Sequence, residues 1–234
     1  MPKPIDPNIR EKLIIALDMD GDAATRLVKL LLPYVKNFKV GLQLFTQRGP
    51  EIVKSLKGQG AEIFLDLKLH DIPQTVRLAS REASKLGAFM LTVHVSGGGE
   101  MMRGALEGAG EGGGNPLVVG VTLLTSLDAS FLSAMGIPKS VDKFVEEMAL
   151  AAKNAGLPGV VSSVGEVKRI KESCGTSFLT VTPGIRFKKE SQDDQKRIST
   201  PQDALEAGAD FLVIGRPITH APDPVSTLKE IIGE

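Results

Sequence analysis

The segment Asp66-Leu67-Lys68-Leu69-His70-Asp71-Ile72-Pro73 places two acids and a lysine where an apolar run ends. A strand sends alternate side chains to opposite faces, so Asp66 and Lys68 are expected on one face and Leu65 and Leu67 on the other. An acid and a base are thereby aimed at one point, where they can hold or move a proton. The plain alternative is a solvated ion pair at a strand end, and the remainder of the chain decides between the two.

Short apolar runs recur at 13–17, 38–40, 63–67, 89–95, 117–121, 159–161, 178–181 and 211–214, giving eight candidate strands. Helical patterns lie between and after them at 22–34, 47–57, 73–86, 99–111, 141–155, 164–173, 201–206 and 224–232. Gly-Ala recurs ahead of three strands, at Gly60-Ala61, Gly87-Ala88 and Gly208-Ala209, where glycine can take the left-handed conformation that ends a helix. Strands apolar on both faces and separated by helices favour a parallel sheet, and eight such units favour a closed (β/α)8 TIM barrel. The 234 residues fit one α/β barrel domain, with residues 1–11 as an N-terminal extension.

A barrel of this kind carries its functional groups at the C-terminal ends of the strands. The polar residues fall there. Asp18 ends the first strand, Lys39 lies late in the second, Asp66 and Lys68 end the third, and the fifth runs into Thr125-Ser126. The seventh and eighth end in Thr182-Pro183-Gly184-Ile185-Arg186 and Ile214-Gly215-Arg216. Those two strands adjoin in a closed barrel, at the usual phosphate-binding place of the fold. Backbone N–H groups beside glycine can approach an anion, and arginine can fork onto its oxygens, so a phosphorylated substrate is expected. Between Phe187 and Ser199, seven of 13 residues are charged. Most such runs are solvated loops, but the position after the glycine-arginine pair suggests an active-site lid over residues 186–199, with Gln195 reaching inward.

Composition narrows the partner. Lys plus Arg and Asp plus Glu each total 28, so net charge points to neither nucleic acid nor an anionic membrane. With no Trp and one Tyr there is no stacking platform for single strands. No apolar run approaches the roughly 18 residues of a membrane span, and residues 1–10 carry no signal-peptide pattern. A soluble cytoplasmic protein with a small-molecule ligand is expected. Cys174 is the single cysteine, which excludes an intrachain disulfide or a cysteine metal cluster and reads as structural. Among His70, His94 and His220, no pair has the i, i+4 spacing of a helical zinc site. His94 is either a group supporting the site or a hydrogen-bonded structural histidine, and His70 should point away from Asp66 and Lys68 if the chain turns smoothly.

Taken together, Leu17-Asp18, Lys39-Val40-Gly41, the run Asp66 to Val76, Leu124-Thr125-Ser126, Thr182 to Arg186 and Gly215-Arg216 resemble orotidine 5'-phosphate decarboxylase, from about Leu13 to Ile231. D-x-K-x-x-D alone is shared with sugar-phosphate enzymes of the same superfamily, whereas its continuation into I-P-x-T-V and its pairing with T-P-G-I-R are specific. The resemblance implies conversion of orotidine 5'-phosphate to uridine 5'-phosphate and carbon dioxide in de novo pyrimidine synthesis, without metal or organic cofactor. It implies Lys68 as proton donor to the carbon that loses its carboxylate, Asp66 beside that carboxylate, and Lys39 and Asp71 completing an alternating array. Asp71 would come from the partner subunit of a homodimer. Asp18 and Thr75 would serve the ribose region, Thr125 and Ser126 the base, and Arg186, Gln195, Gly215 and Arg216 the phosphate side. Ile72 and Pro183 complete the implied substrate-binding set.

The chemistry suits such an array, because loss of carbon dioxide from this ring leaves a localised carbanion that a fixed ammonium can stabilise and then protonate. Two other readings stand beside it. One is a sugar-phosphate decarboxylase or aldolase whose acidic residues help hold magnesium, which EDTA would inactivate. The other is a catalytically silent phosphate-binding barrel, against which stands an acid–lysine array that a mere binder would not need. Schiff-base chemistry at Lys39 or Lys68 is disfavoured, since flanking acids favour the charged amine where that chemistry needs the neutral one.

Overall fold

The computed structural model describes residues 8–186 and 199–234. All eight strands form: β1 (Leu13–Ala16), β2 (Asn37–Gly41), β3 (Glu62–Leu69), β4 (Met90–His94), β5 (Leu117–Val121), β6 (Gly159–Val161), β7 (Leu179–Thr182) and β8 (Phe211–Ile214). Each pairs in parallel with the next, and β8 closes onto β1. The described residues therefore build a (β/α)8 TIM barrel. The helices, in chain order, are α1 (Ile9–Lys12), α2 (Gly21–Leu31), α3 (Leu42–Arg48), α4 (Pro50–Gly58), α5 (Pro73–Lys85), α6 (Gly98–Glu111), α7 (Ala129–Ala134), α8 (Val141–Asn154), α9 (Val164–Cys174), α10 (Pro201–Ala207), α11 (Arg216–Thr219) and α12 (Pro224–Ile232). Among the described residues no helix is long and apolar enough to cross a membrane. The expected extension over 1–11 enters the structure only at its end, where α1 begins; residues 1–7 lie outside the described residues.

The helical pattern at 47–57 corresponds to α4, whereas α3, almost wholly ahead of it, was not expected from the sequence. Gly49 adopts φ +59° between α3 and α4, and Pro50 occupies the first turn of the second helix, where its missing N–H costs nothing. The short α1, α7 and α11 are too brief to show an amphipathic period. Gly60, Gly87 and Gly208 all have positive φ, as the repeated Gly-Ala joints require.

The barrel interior is packed by Ile14, Ala16, Phe64, Met90, Val119, Val181 and Val213, drawn from six strands. The opposite strand faces bury Ile15, Phe38, Val40, Ile63, Leu65 and Leu91 against the helical shell. Asp66 and Lys39 continue the inward face above Phe64, so the polar site rests on an apolar floor.

Helices α5 and α6 approach each other unusually closely along Gly104, Gly108 and Gly112, spaced one helical step of four apart. A Cβ on Gly108 would lie 1.9 Å from the Arg77 carbonyl oxygen, and one on Gly112 would lie 2.4 Å from the Ser84 Cβ. The Ser84 hydroxyl donates to the Ala109 carbonyl at 2.7 Å across the same seam. Gly108→Ala must force two backbones apart, and overpacking of this kind costs about 2–3 kcal/mol. Gly165→Ala in α9 meets nothing within 4 Å and should instead gain about 0.4–1 kcal/mol by restricting the unfolded chain. Urea unfolding of the two variants measures the contrast.

Candidate active site

The C-terminal mouth of the barrel holds a cavity of about 390 Å³. Its walls bring together most of the polar residues singled out from the sequence: Asp18, Lys39, Asp66, Lys68, Thr125, Pro183, Arg186, Gly215 and Arg216. These come from the ends of β1, β2, β3, β5, β7 and β8, which is what closure of a parallel barrel does to residues far apart in the chain.

On one wall an alternating chain of charges runs from strand to strand. The Lys39 ammonium donates to Asp18 Oδ1 at 3.0 Å and lies 3.4 Å from Asp66 Oδ2. The Lys68 ammonium donates to both Asp66 oxygens, at 2.9 and 2.8 Å. Asp66 and Lys39 are buried, whereas Lys68 is half-buried and faces the cavity. Burial alone would push the Asp66 carboxyl up, but the Lys39 and Lys68 charges, with hydrogen bonds from Lys68 and Thr92, hold it below its ordinary range. Burial likewise disfavours the Lys39 ammonium, yet Asp66 and Asp18 outweigh it and hold that lysine above its ordinary value. The three groups Asp18, Lys39 and Asp66 thus form a charged network fixed in the wall.

Sequence alternation correctly puts Asp66 and Lys68 on one face, but the backbone between them and β4 is not regular. Leu65 pairs with Leu91 and Leu69 with Val93, so four steps along β3 match two along β4. Lys68 absorbs the excess at φ +51°, a left-handed conformation costing a non-glycine residue about 1–2 kcal/mol. His70 follows at the end of this segment and is exposed. Its ring lies 5.3 Å from that of His94, and His94 is held below its ordinary value by burial, by His70 and by Lys68. His94 thus lies close enough to feel Lys68 and Asp66, while neither it nor His70 is among the residues that line the cavity.

Across the cavity, Pro183, Gly184, Ile185 and Arg186 follow β7, and Gly215 and Arg216 follow β8. Gly184 has φ +82°, and Arg186 is buried. Gly215 precedes α11 with negative φ, and among the described residues a Cβ there would meet only the Ala16 Cβ at 3.5 Å. Ile185 and Ser199 form a parallel bridge, with Arg186 N–H donating to the Ser199 carbonyl at 2.9 Å. The two ends of the expected lid thus meet at the rim, while residues 187–198, including Gln195, lie outside the described residues.

Four expected residues among the described ones do not line the cavity of their own chain. Asp71, Ile72 and Thr75 are exposed, with Ile72 67% accessible, and Asp71 Oδ1 accepts from the Ile72 N–H at 2.7 Å. Asp71 therefore makes no cap on α5, whose N-terminus has no side-chain cap. Ser126 is also exposed and off the cavity wall. Conversely, sequence reading assigned no role to Gly41, where a Cβ would sit 2.8 Å from both Asp18 Oδ1 and Lys39 Nζ. Its position two residues after an inward lysine was the available signal. Thr92, which bonds to Asp66, was hidden inside an apolar strand.

The described geometry has counterparts. The model of the orotidine 5'-phosphate decarboxylase / HUMPS family matches residues 11–231. An orotidine 5'-phosphate decarboxylase of Legionella pneumophila is 47% identical over 223 residues, covering 94% of this chain and 97% of the relative. That of Moorella thermoacetica is 46% identical over 232 residues, covering 96% and 92%. The crystal structure of orotidine 5'-phosphate decarboxylase from Lactobacillus acidophilus superposes with a TM-score of 0.80 at 37% identity, covering 94% of this chain and 96% of that one. A match over nearly the whole length, on a barrel whose mouth carries the expected acid–lysine array, shows that the chain belongs to the orotidine 5'-phosphate decarboxylase / HUMPS family.

Proposed function

We propose that this protein decarboxylates orotidine 5'-phosphate to uridine 5'-phosphate and carbon dioxide in pyrimidine biosynthesis, with Lys68 as the proton donor. The observation that carries the mechanism is the Asp18–Lys39–Asp66–Lys68 array, fixed on one wall of a cavity whose far side presents Arg186, Gly215 and Arg216.

In this reading the phosphate docks on the Arg186 and Arg216 side, with Gln195 contributing from residues 187–198. The ribose meets Asp18 and Thr75, and the base lies toward Thr125, Ser126, Pro183 and Ile72. That pose sets the substrate carboxylate beside Asp66 and the carbon bearing it beside the Lys68 ammonium. As the carbon–carbon bond breaks, its electron pair stays on the ring carbon while carbon dioxide leaves. The ammonium is already in place to stabilise that charge, then transfers a proton to the carbon. Lys39 holds Asp66 charged and oriented, so no solvent need reorganise during the step. The chain acts as a cytoplasmic homodimer, with Asp71 of each subunit completing the array of the other.

Purified protein should consume orotidine 5'-phosphate in an ultraviolet assay at the same rate with and without EDTA. Lys68→Ala should keep its folded circular dichroism while losing nearly all turnover. Abolition by EDTA with restoration by magnesium would identify a metal-dependent relative instead.

Ionisation of Asp66 gives a pH signature. Its folded carboxyl lies below the ordinary 3.8, so the stability it contributes is fully present above that value and lost as pH falls through the depressed one. The difference in unfolding free energy between wild type and Asp66→Asn should be constant from about pH 5 to 8. Below about pH 4 it should shift in favour of Asp66→Asn. Urea titrations across that range test the sign.

Sharing of Asp71 across the dimer is tested by mixing inactive Lys68→Ala and Asp71→Ala proteins after reversible dissociation. A shared site leaves one intact site in each heterodimer, so activity should return to as much as half the wild-type value per heterodimer. Failure to regain activity despite demonstrated subunit exchange would place both residues in the same chain's site.

A further inference from the structure

We propose that Thr92 is a positioning residue for the reaction, its hydroxyl clamping Lys68 in its left-handed backbone conformation and keeping Asp66 aimed at it. The proposal rests on the decarboxylase reading of Lys68 and Asp66.

Thr92 lies in the middle of β4 and is fully buried. It is the residue between the two β4 partners, Leu91 and Val93, at which the ladder with β3 slips. In a regular parallel ladder the Lys68 N–H would donate to a main-chain carbonyl of the neighbouring strand. Here it donates to Thr92 Oγ1 at 2.8 Å. The same hydroxyl has one proton to give, and it donates that proton to Asp66 Oδ1 at 2.9 Å. One oxygen therefore replaces a missing ladder bond and joins the backbone of the lysine to the carboxylate that its own ammonium grips. Asp66 Oδ1 receives both Thr92 and Lys68, so the carboxylate cannot rotate without breaking two bonds. Thr92 does not line the cavity. It therefore acts through Lys68 and Asp66, not on substrate.

Thr92→Val conserves shape and removes the hydroxyl. The expected result is a fall of about 10- to 100-fold in kcat with KM nearly unchanged, because misplacement affects the reacting groups and not the phosphate or base contacts. Thr92→Ser, which keeps the hydroxyl, should stay within a few-fold of wild type. Thr92→Cys, similar in size to serine with a weaker hydrogen bond, should fall with the valine variant; the serine and cysteine pair decides the matter if the valine variant does not fold. The Lys68 amide supplies a readout independent of substrate. Its hydrogen exchange, followed by NMR, should be slow in wild type and Thr92→Ser and at least about tenfold faster in Thr92→Val or Thr92→Cys. Absence of wild-type turnover of orotidine 5'-phosphate would sink the decarboxylase reading while the exchange data still judged the clamp. Wild-type kcat in Thr92→Val or Thr92→Cys, unchanged Lys68 exchange, or equal losses in kcat and KM that Thr92→Ser fails to restore would overturn the proposal.

Discussion

A carboxylate buried under the barrel mouth is tolerable only when cations and donors surround it, and Asp66 imposes that condition on the rest of the structure. Its partners come from three strands: Lys39 from β2, Lys68 from β3 and Thr92 from β4. The pairing of Gly41 with Asp66 sets β2 against β3 at this level. A slip of one residue in either strand would turn an inward charge toward the helical shell and strand the carboxylate. The charged wall thus depends on register, and register is fixed chiefly by apolar side chains beneath it, such as Phe64 and Met90 inside and Leu65 and Leu91 outside.

The division of labour around the mouth follows from closure. The alternating charges belong to β1, β2 and β3, which are neighbours, while the glycine and arginine residues belong to β7 and β8, also neighbours. Between the two halves lie apolar residues such as Val121, Leu123 and Val161. Such a wall keeps water scarce where a localised negative charge is to be stabilised, and in a medium of lower polarity a fixed ammonium acts more strongly. Cys174, buried at the C-terminal end of α9 with its thiol pushed up by burial, takes no part in this chemistry.

Much of this was legible in the sequence, because it is written in periods that the physics of strands and helices enforces. Eight apolar runs became eight strands, and alternation in β3 put Asp66 and Lys68 on one face. What escaped legibility was local. α3, ended by Gly49 and followed at once by Pro50 of α4, is only 7 residues long, too short to show a clear amphipathic period. Thr92 reads as a good strand former among Leu91 and Val93, and nothing in its neighbours announces that its hydroxyl serves another strand. The left-handed Lys68 is equally silent, since lysine is not a residue whose type signals positive φ. Asp71, Ile72 and Thr75 illustrate a different limit, for a single chain leaves them at the surface, outside its own cavity.

The bridge between Ile185 and Ser199 has a consequence for how this family can diversify. Because the bridge already joins the two ends of residues 187–198, the entropy of closing that ring is part of the cost of folding the barrel and does not fall on the segment's own sequence. Doubling the length of a closed loop adds only about 0.6 kcal/mol. Arg186, held on the near side of the bridge by its N–H to the Ser199 carbonyl, therefore keeps its place whatever lies between.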